Sequence, residues 1–167
     1  MTSFTSTELP WGQRLTIEET ATHLIRKNII APKHQTSLHE HRKHTETLVV
    51  LKGKPTIQLN NVVKKANPGV VFAVDVGVKH RISNTDEEAE AVVLEVQCGE
   101  IDANDVIRYQ DDYNRELTKE ALEEVKELNE LKELTKGAAV VKFSASWCGP
   151  CRFIHPEFKR LAEENAK

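Results

Sequence analysis

Two histidines one residue apart, His39 and His41, are followed by Glu46, and a further histidine, His80, lies in a later segment. Side chains alternate between the two faces of a β-strand, so His39 and His41 point the same way and can bind one ion. Glu46 shares its parity with Leu48 on the following strand, which puts it at the mouth of an apolar interior. Three imidazoles and one carboxylate suit Zn, Mn, Fe, Co or Ni, and ligand type alone does not select among these metals.

Turn residues at fixed spacings surround these side chains: Gly53, Gly69, Gly77 and Asn84. With them, the pattern resembles the two sequence motifs of the cupin superfamily, whose small β-barrels hold a divalent metal on three histidines and one glutamate. The resemblance implies that the ligands are His39, His41, Glu46 and His80. A metal of higher coordination number would keep positions open for a substrate, as catalysis requires. The alternative is a barrel that has lost its metal.

Several histidines and one cysteine fall outside this pattern: His23, His34, His44, His155 and Cys98. A single histidine in a globular chain is usually a surface or hydrogen-bonded residue, and we expect that role for all four of these. Cys98 is expected to be a buried small hydrophobic residue.

The chain has 167 residues and a net charge of −3, with both signs mixed throughout. This length suits one domain with an appendage. Because no basic cluster is present that would follow a phosphate backbone, nucleic acid is not an expected partner. The N-terminus lacks the cationic start and apolar run of a secretory signal, and no stretch is long enough to span a bilayer. We therefore expect a cytoplasmic protein with no membrane partner.

Short β-rich runs separated by turn residues occupy the chain up to about residue 97. The predicted strands are Thr22–Ile30, Thr47–Leu51, Thr56–Leu59, Val70–Val74, His80–Ser83 and Ala91–Gln97. Many short strands with no helical period between them indicate a sandwich or a barrel. The histidine and glycine motifs favour the barrel, a mainly β double-stranded β-helix of the jelly-roll type.

The flanks of the two motifs narrow the resemblance. The segments 10–12, 95–100, 105–109 and 111–115 are similar to the cupin domain of type II phosphomannose isomerases, found at the C-terminal end of bifunctional mannose-1-phosphate guanylyltransferase/mannose-6-phosphate isomerase enzymes. This resemblance implies metal-dependent aldose to ketose isomerisation of a sugar phosphate, mannose 6-phosphate being the family's substrate. Cupins commonly dimerise, so a homodimer is expected.

An isomerase of this kind needs a base to move the proton, and Glu95 is the candidate. Glu95 and Gln97 share one face of the last predicted strand, while Val92, Leu94 and Val96 share the other. One set must enter the barrel. We expect the apolar set to do so, which would leave Glu95 outside.

A sugar phosphate also needs cations around its phosphate group. The candidates are Arg26, Lys27, Lys79 and Arg81. Arg81 has the opposite strand parity to His80 and is therefore expected to point outward. Surface solvation explains each of these side chains equally well on its own.

From Thr118 the composition changes to Ala, Leu, Glu and Lys. Apolar residues recur every three positions, at Leu122, Val125, Leu128, Leu131 and Leu134. Thr118 is a suitable N-cap and Gly137 a suitable stop, so the pattern predicts an amphipathic helix whose charged face is solvated.

The segment Val140 to Cys151, which ends in Trp147-Cys148-Gly149-Pro150-Cys151, resembles the active-site strand and turn of thioredoxin. The resemblance implies that Cys148 is the nucleophile and Cys151 the resolving thiol. The sequence stops after the next predicted helix, so we expect a truncated fusion in which the helix from Thr118 and this βα unit pack on the barrel or on another copy. The alternative is a working redox appendage that pairs with a second subunit.

These patterns divide the chain into an N-terminal tail (1–9), a barrel domain (10–115), a helical linker (116–137) and a partial thioredoxin-like segment (138–167). Three functions stay open at this point. The first is metal-dependent isomerisation of a sugar phosphate, and the second is binding of a sugar or another small metabolite without isomerase activity. The third is thiol-disulfide exchange through Cys148 and Cys151.

Overall fold

In a computed structural model, residues 4–134 and residue 160 are described. Residues 4–134 are mainly β. The strands are β1 Thr5–Leu9, β2 Gly12–Glu19, β3 His23–Ile30, β4 Leu38–Glu40, β5 His44–Lys52, β6 Thr56–Leu59, β7 Val62–Lys65, β8 Val71–Val74, β9 His80–Ser83, β10 Ala91–Gly99 and β11 Ile107–Gln110, and one helix, α1, spans Lys119–Leu134. The predicted mainly β class is confirmed.

The strands form two antiparallel sheets. The first has six strands in the order β1-β2-β3-β10-β5-β8, and the second has five in the order β11-β4-β9-β6-β7. Neighbouring strands are often far apart in sequence, as β3 and β10 are, which is how a double-stranded β-helix closes two sheets around one interior. The predicted barrel is therefore confirmed.

A single apolar cluster fills one part of the space between the sheets. Its buried members are Trp11, Ile30, Leu48, Ile57, Val74, Ile82, Ala91 and Val93. Both sheets contribute, because alternate residues of each strand face inward. A fully buried leucine such as Leu48 stabilises the fold by roughly 1.5–3 kcal/mol relative to an exposed one. The rest of the barrel interior is polar, and it contains the histidines.

Each strand predicted from the β-rich runs is present, and two of them, β6 and β9, have the predicted bounds. The strands that the pattern missed include β1 and β2, whose residues are largely polar. Thr5–Leu9, predicted to belong to an N-terminal tail, pairs with β2 in a register from Thr5↔Thr16 to Leu9↔Gly12. This edge strand is kept in the sheet by backbone hydrogen bonds to β2 rather than by burial of an apolar face.

Two motif glycines have left-handed backbone conformations that shape the barrel. Gly53 (φ 79°) ends β5, and a Cβ there would lie 2.9 Å from the carbonyl oxygen of Glu90, so only glycine allows the two segments to approach. Gly77 (φ 76°) donates its N–H to the carbonyl of His41 at 2.8 Å. Gly77 thus fixes the backbone of a candidate ligand.

The chain divides into two units, residues 1–125 and 126–167, and the barrel lies in the first. Helix α1 begins directly after Thr118, as predicted, and Leu122 donates its N–H to the Thr118 carbonyl. Ala121 is buried and Leu122 is exposed. Among the described residues, no helix is long and apolar enough to cross a membrane. The predicted stop at Gly137 and the thioredoxin-like strand and turn lie outside the described residues.

Candidate metal centre

The second sheet brings three histidines together. His39 on β4 lies directly opposite His80 on β9, and His41 follows β4 on the same side. The ligand nitrogens of the three rings lie within 4.8 Å of one another. Ring centroids are 4.4 Å apart for His39 and His80 and 5.1 Å apart for His39 and His41. The spacing that predicted a shared site thus brings the three side chains into one cluster.

The Nδ1 atom of each clustered histidine lies against a main-chain carbonyl. The acceptors are Ser37 for His39 (2.9 Å), Val78 for His80 (2.9 Å) and Asp105 for His41. A carbonyl oxygen only accepts, so Nδ1 carries the hydrogen in all three rings. In the neutral imidazole this leaves the Nε2 lone pair free. Such carbonyl partners typically orient histidines that bind metals.

Glu46, on β5, lies against the Nε2 atoms of two of these rings, His80 and His41. Its Oε2 is 2.9 Å from His80 Nε2, and its Oε1 is 3.2 Å from His41 Nε2. Oε2 is buried and has no aligned hydrogen-bond partner. Because a carboxylate oxygen and an Nε2 lone pair both accept, a proton or a cation must lie between them. Three imidazole nitrogens and one carboxylate in this arrangement fit a divalent cation.

The pKa values in this cluster move in opposite directions. Burial raises the pKa of Glu46, but the close contacts of its carboxylate with the imidazoles of His41, His44 and His80 outweigh burial and hold the pKa well below its usual range. Burial lowers the pKa of His80, but the adjacent, negatively charged carboxylate of Glu46 raises it above its ordinary value. Burial and the neighbouring charges of His80 and His41 lower the pKa of His39 well below its ordinary value. His39 is therefore neutral at physiological pH and available as a ligand.

His44 is a site residue that the sequence analysis missed. It was predicted to be a surface or hydrogen-bonded residue, but it is 4% exposed and neither ring nitrogen has a hydrogen-bond partner. Its Nε2 is 3.7 Å from Glu46 Oε1 and its Nδ1 is 3.4 Å from Asp105 Oδ2. Its position on the strand was the signal that was missed. His44, Glu46 and Leu48 occupy every second position of β5, so all three face the interior.

Asp105 fixes the turn that carries His41 to His44. Its carboxylate accepts the N–H groups of Arg42 (3.0 Å) and Lys43 (2.8 Å). Its main-chain carbonyl accepts the Nδ1–H of His41. His41, His44 and Asp105 also form a second cluster with ligand atoms within 4.8 Å. Asp105, in the loop before β11 and outside the two histidine and glycine motifs, therefore holds the turn from His41 to His44, called the histidine turn below.

The inward face of β10 differs from the prediction. Ala91, Val93, Glu95 and Gln97 face the interior, and of the opposite set Leu94 and Val96 are only half-buried. The expectation that the apolar set of Val92, Leu94 and Val96 enters the barrel was wrong. The inward face is apolar at one end, where it joins the core, and polar at the other, where it meets the histidines. A strand that crosses both regions cannot be oriented by hydrophobicity alone.

Buried amides connect Glu95 to Glu46. The Nε2 of Gln97 donates to Glu46 Oε1 at 2.7 Å and to Glu95 Oε1 at 2.8 Å. The Nδ2 of Asn28 donates to Glu95 Oε2 at 2.7 Å, and Asn28 accepts from Arg14 Nε at 2.9 Å. The links among Asn28, Glu95, Gln97 and Glu46 are buried and at hydrogen-bond distance, so the carboxylates are held in a fixed relation to each other.

A cavity of about 80 Å³ opens beside the histidines. Its lining includes His39, His41, Glu46, Glu95, Gln97 and the arginines Arg14, Arg26, Arg108 and Arg115. Of the predicted cationic candidates, only Arg26 lines it. Lys79 instead contacts the ring of Tyr109 and pairs with Glu124.

Arg81 and Cys98 also differ from expectation. Arg81 was predicted to point outward and to be solvated at the surface, but it is 8% exposed, and its Nη2 donates to the Gln110 carbonyl. Cys98 was predicted to be buried, but it is exposed. It lies on the outward face at the end of β10, beyond the core. Cys148 and Cys151 lie outside the described residues.

Two protein families match separate parts of the sequence. The Cupin domain family matches residues 28–97, and the Thioredoxin family matches residues 110–167. The first match covers the strands that carry the histidines, Glu46 and Glu95. The second includes α1 and the Cys148-Gly149-Pro150-Cys151 segment. The comparisons thus support the cupin superfamily for the barrel and a thioredoxin domain at the C-terminal end.

Solved structures resemble the barrel. The capsular polysaccharide assembling protein CapF of Staphylococcus aureus aligns with a TM-score of 0.55 and 19% identity, over 62% of this chain and 32% of CapF. KdgF of Halomonas sp. aligns with a TM-score of 0.52 and 16% identity, over 59% of this chain and 89% of KdgF. At these identities the likeness establishes the fold alone.

Curated relatives match only a short part of the chain. Thioredoxin H-type of Ricinus communis is 63% identical over 30 residues, which are 18% of this chain and 25% of the relative. Thioredoxin H1 of Arabidopsis thaliana is 52% identical over 42 residues, which are 25% of this chain and 33% of the relative. The chain therefore spans a quarter of the first of these thioredoxins and a third of the second.

Proposed function

We propose that the barrel binds a divalent cation through His39, His41, Glu46 and His80 and acts as a metal-dependent enzyme of the sugar-phosphate isomerase type. One observation carries the metal proposal. The three clustered rings each give Nδ1–H to a main-chain carbonyl, which leaves their Nε2 lone pairs free, and the Nε2 atoms of His80 and His41 contact the buried carboxylate of Glu46. The ligand side chains are already oriented in the folded protein, so binding of a cation would not have to order them.

A divalent cation bound here would supply Lewis acidity to a carbonyl or hydroxyl oxygen of the substrate. The chain's own contribution to an aldose to ketose conversion would be the movement of a proton between adjacent carbons. Glu95 is the proposed proton carrier, because it lines the same cavity as His39, His41 and Glu46. Asn28, Gln97 and Arg26 hold its carboxylate in one orientation.

The size of the cavity bears directly on the substrate. Sites for drug-sized ligands usually measure about 300–1,000 Å³, whereas this cavity is about 80 Å³. A hexose phosphate therefore requires the cavity to widen on binding. A smaller ligand does not, and this supports the alternative that the barrel binds a small metabolite. The two proposals share the metal and differ in turnover.

A coupled assay for conversion of mannose 6-phosphate to fructose 6-phosphate tests the isomerase proposal. The full chain is stripped of metal and reloaded with Mn, Zn, Fe, Co or Ni, and bound metal is measured in parallel. The variant His39→Ala should lose both metal and turnover, whereas His23→Ala, outside the cluster, should lose neither. Metal binding without turnover would refute the isomerase and leave the binding alternative. Absence of metal binding with every ion would refute the metal centre itself.

Thiol-disulfide exchange is the second candidate function. It is supported by the Thioredoxin family match over residues 110–167, which includes Cys148 and Cys151. An insulin reduction assay with dithiothreitol tests it. We expect any activity to disappear in Cys148→Ser and to persist in Cys98→Ser, because Cys98 belongs to the barrel. Equal rates in the two variants would refute a redox role for the pair.

The remaining proposals concern location, ligand and oligomeric state. We propose that the protein is cytoplasmic and that its ligand is a small sugar phosphate. We also propose that it forms a homodimer. Exposed valines on the edge strands β7 and β8, Val62, Val63 and Val71, support self-association, because an apolar sheet edge favours pairing with another copy. Sedimentation of the full chain measures the oligomer, and a monomer at every concentration would contradict this.

A further inference from the structure

We propose that the cavity beside the histidines binds an oxyanion, the carboxylate or phosphate group of the ligand, on the guanidinium groups of Arg14, Arg26, Arg108 and Arg115. The position of this anion next to a bound cation rests on the proposed function, but its recognition by the arginines does not. Arg14, Arg26, Arg108 and Arg115 are called the arginine cluster below. None of Arg14, Arg108 and Arg115 was indicated by the sequence patterns.

The balance of charge in the cavity is positive. Four guanidinium groups and two carboxylates, Glu46 and Glu95, line it. Glu46 is directed at the histidines, so Glu95 alone faces the arginine cluster, at 3.6 Å from Arg26. Asp111, which does not line the cavity, pairs with Arg115 at 2.5 Å and lies 3.9 Å from Arg108. The cavity therefore holds more positive charge than its own carboxylates neutralise.

Several donors of the cluster are also unsatisfied. The Nε atoms of Arg26 and Arg108 are buried and have no hydrogen-bond partner. Guanidinium groups carry five N–H donors in a planar fork that matches carboxylate and phosphate oxygens. Buried donors are normally paired, and an unpaired one requires an explanation. An oxyanion in the cavity would lie against the guanidinium groups of these two side chains, which both line it.

The arginines are close enough to repel one another. Burial lowers the pKa of Arg14, and the charges of Arg26 and Arg115 lower it further, against Glu95 and Glu46, which raise it. Burial and the charge of Arg115 likewise lower the pKa of Arg108. A guanidinium remains charged in proteins, so this repulsion persists in the folded chain. An anion bound among the four groups would offset it.

The arginine cluster is tied to the rest of the site. The guanidinium of Arg14 lies 5.4 Å from the ring centre of the buried Trp11, and its Nε donates to Asn28. From Asn28 the buried hydrogen bonds continue through Glu95 and Gln97 to Glu46. Arg14 is therefore held in place before any ligand arrives, and this preorganisation favours binding of an anion.

The volume limits what the cluster takes. A cavity needs about 10–15 Å³ of this kind of space to hold one water molecule, so about 80 Å³ has room for a small oxyanion group. His39, His41 and the arginines line this same small space, so the oxyanion would lie beside the proposed cation. Carboxylate and phosphate share this chemistry, and their geometries differ enough for binding to separate them.

Calorimetric titration of the full chain with inorganic phosphate and with acetate, at low ionic strength, tests the proposal. We expect one of the two anions to bind, and Arg26→Met and Arg14→Met to weaken it at least tenfold. Arg26→Lys keeps the positive charge but loses the planar set of guanidinium donors, so it should weaken anion binding less than Arg26→Met does. The exposed Arg42, which pairs with Glu40 outside the cavity, provides the control Arg42→Met, and this variant should bind as the parent does.

Each outcome decides the question. Binding of phosphate or of acetate that depends on Arg14 and Arg26 supports the cluster and identifies the group it takes. Failure of both anions to bind, or equal binding by folded Arg26→Met, Arg26→Lys and the parent, overturns it. Titrating His39→Ala separates this inference from the proposed function: dependence on the arginines that survives in this variant stands even if no metal binds.

Discussion

Nε2 of His80 lies 2.9 Å from Oε2 of Glu46, between side chains that are 3% and 2% exposed. Their strands, β9 and β5, belong to different sheets. The contact therefore connects the two halves of the barrel across its polar interior. A buried carboxylate of this kind is stable only with a positive partner, which here is a protonated imidazole or a cation.

Glu46→Gln should weaken metal binding by tenfold or more. The neutral amide removes the anionic ligand and leaves three imidazoles, which attract a divalent cation less strongly. Titration with Zn or Mn followed by measurement of bound metal gives the affinity. Glu90→Gln, an exposed change far along the chain from the ligands, is the control. Unchanged affinity in Glu46→Gln would remove Glu46 from the proposed ligand set.

Periodicity anticipated the strands that carry an inward apolar or ligand face, such as β6 and β9. The same reasoning missed β1, because a polar edge strand is specified by its backbone pairing to β2 and not by burial. The histidine pair was identified because alternation along one strand puts both side chains on one face, whereas Glu46 and His80 joined it through the resemblance to the two cupin motifs.

Other site residues could not be found this way. His44 has the parity of Glu46, but a lone histidine has a stronger prior as a surface residue. Glu95 was assigned outward because its strand is more apolar on the other face, and only the second sheet's position decides which face is interior. Arg14 and Arg108 lie on strands far apart in sequence, β2 and β11, and meet only through the closure of the barrel.

Asp105→Ala should destabilise the fold by about 1–3 kcal/mol, the usual cost of leaving buried donors unpaired. The change removes the carboxylate that accepts the N–H groups of Arg42 and Lys43 and faces His44. Urea unfolding gives the free energy of unfolding, and Asp75→Ala, an exposed site, is the control. If the free energy of unfolding falls no more than in Asp75→Ala, the Asp105 carboxylate does not stabilise the turn from His41 to His44.

Gln97→Leu should cost about 3 kcal/mol and also weaken metal binding. Leucine cannot donate, so the carboxylates of Glu46 and Glu95 each lose a buried hydrogen bond, worth about 1.5–3 kcal/mol when the acceptor is charged. Gln58→Leu, which removes one exposed hydrogen bond to the Asn60 carbonyl, is the matched control. Urea unfolding and metal titration measure the two effects. If both variants lose equal stability, the bridge between the carboxylates is not what holds this end of the barrel.

Asp111→Asn should reduce the acid sensitivity of the fold. Burial raises the pKa of Asp111, but hydrogen bonds from Arg115 and from the N–H groups of Tyr113 and Arg115 outweigh it and hold the pKa below its ordinary value of 3.8. A carboxyl whose pKa is depressed by folding stabilises the folded state above its unfolded pKa, and this contribution is lost as the pH falls through the folded value. Urea unfolding at pH 7 and at successive steps below pH 4 should therefore show the parent losing more stability than the variant on acidification. The variant should be less stable than the parent at pH 7, and the two should converge in acid. Parallel curves across this range would mean that Asp111 has the same pKa in the folded and unfolded chains.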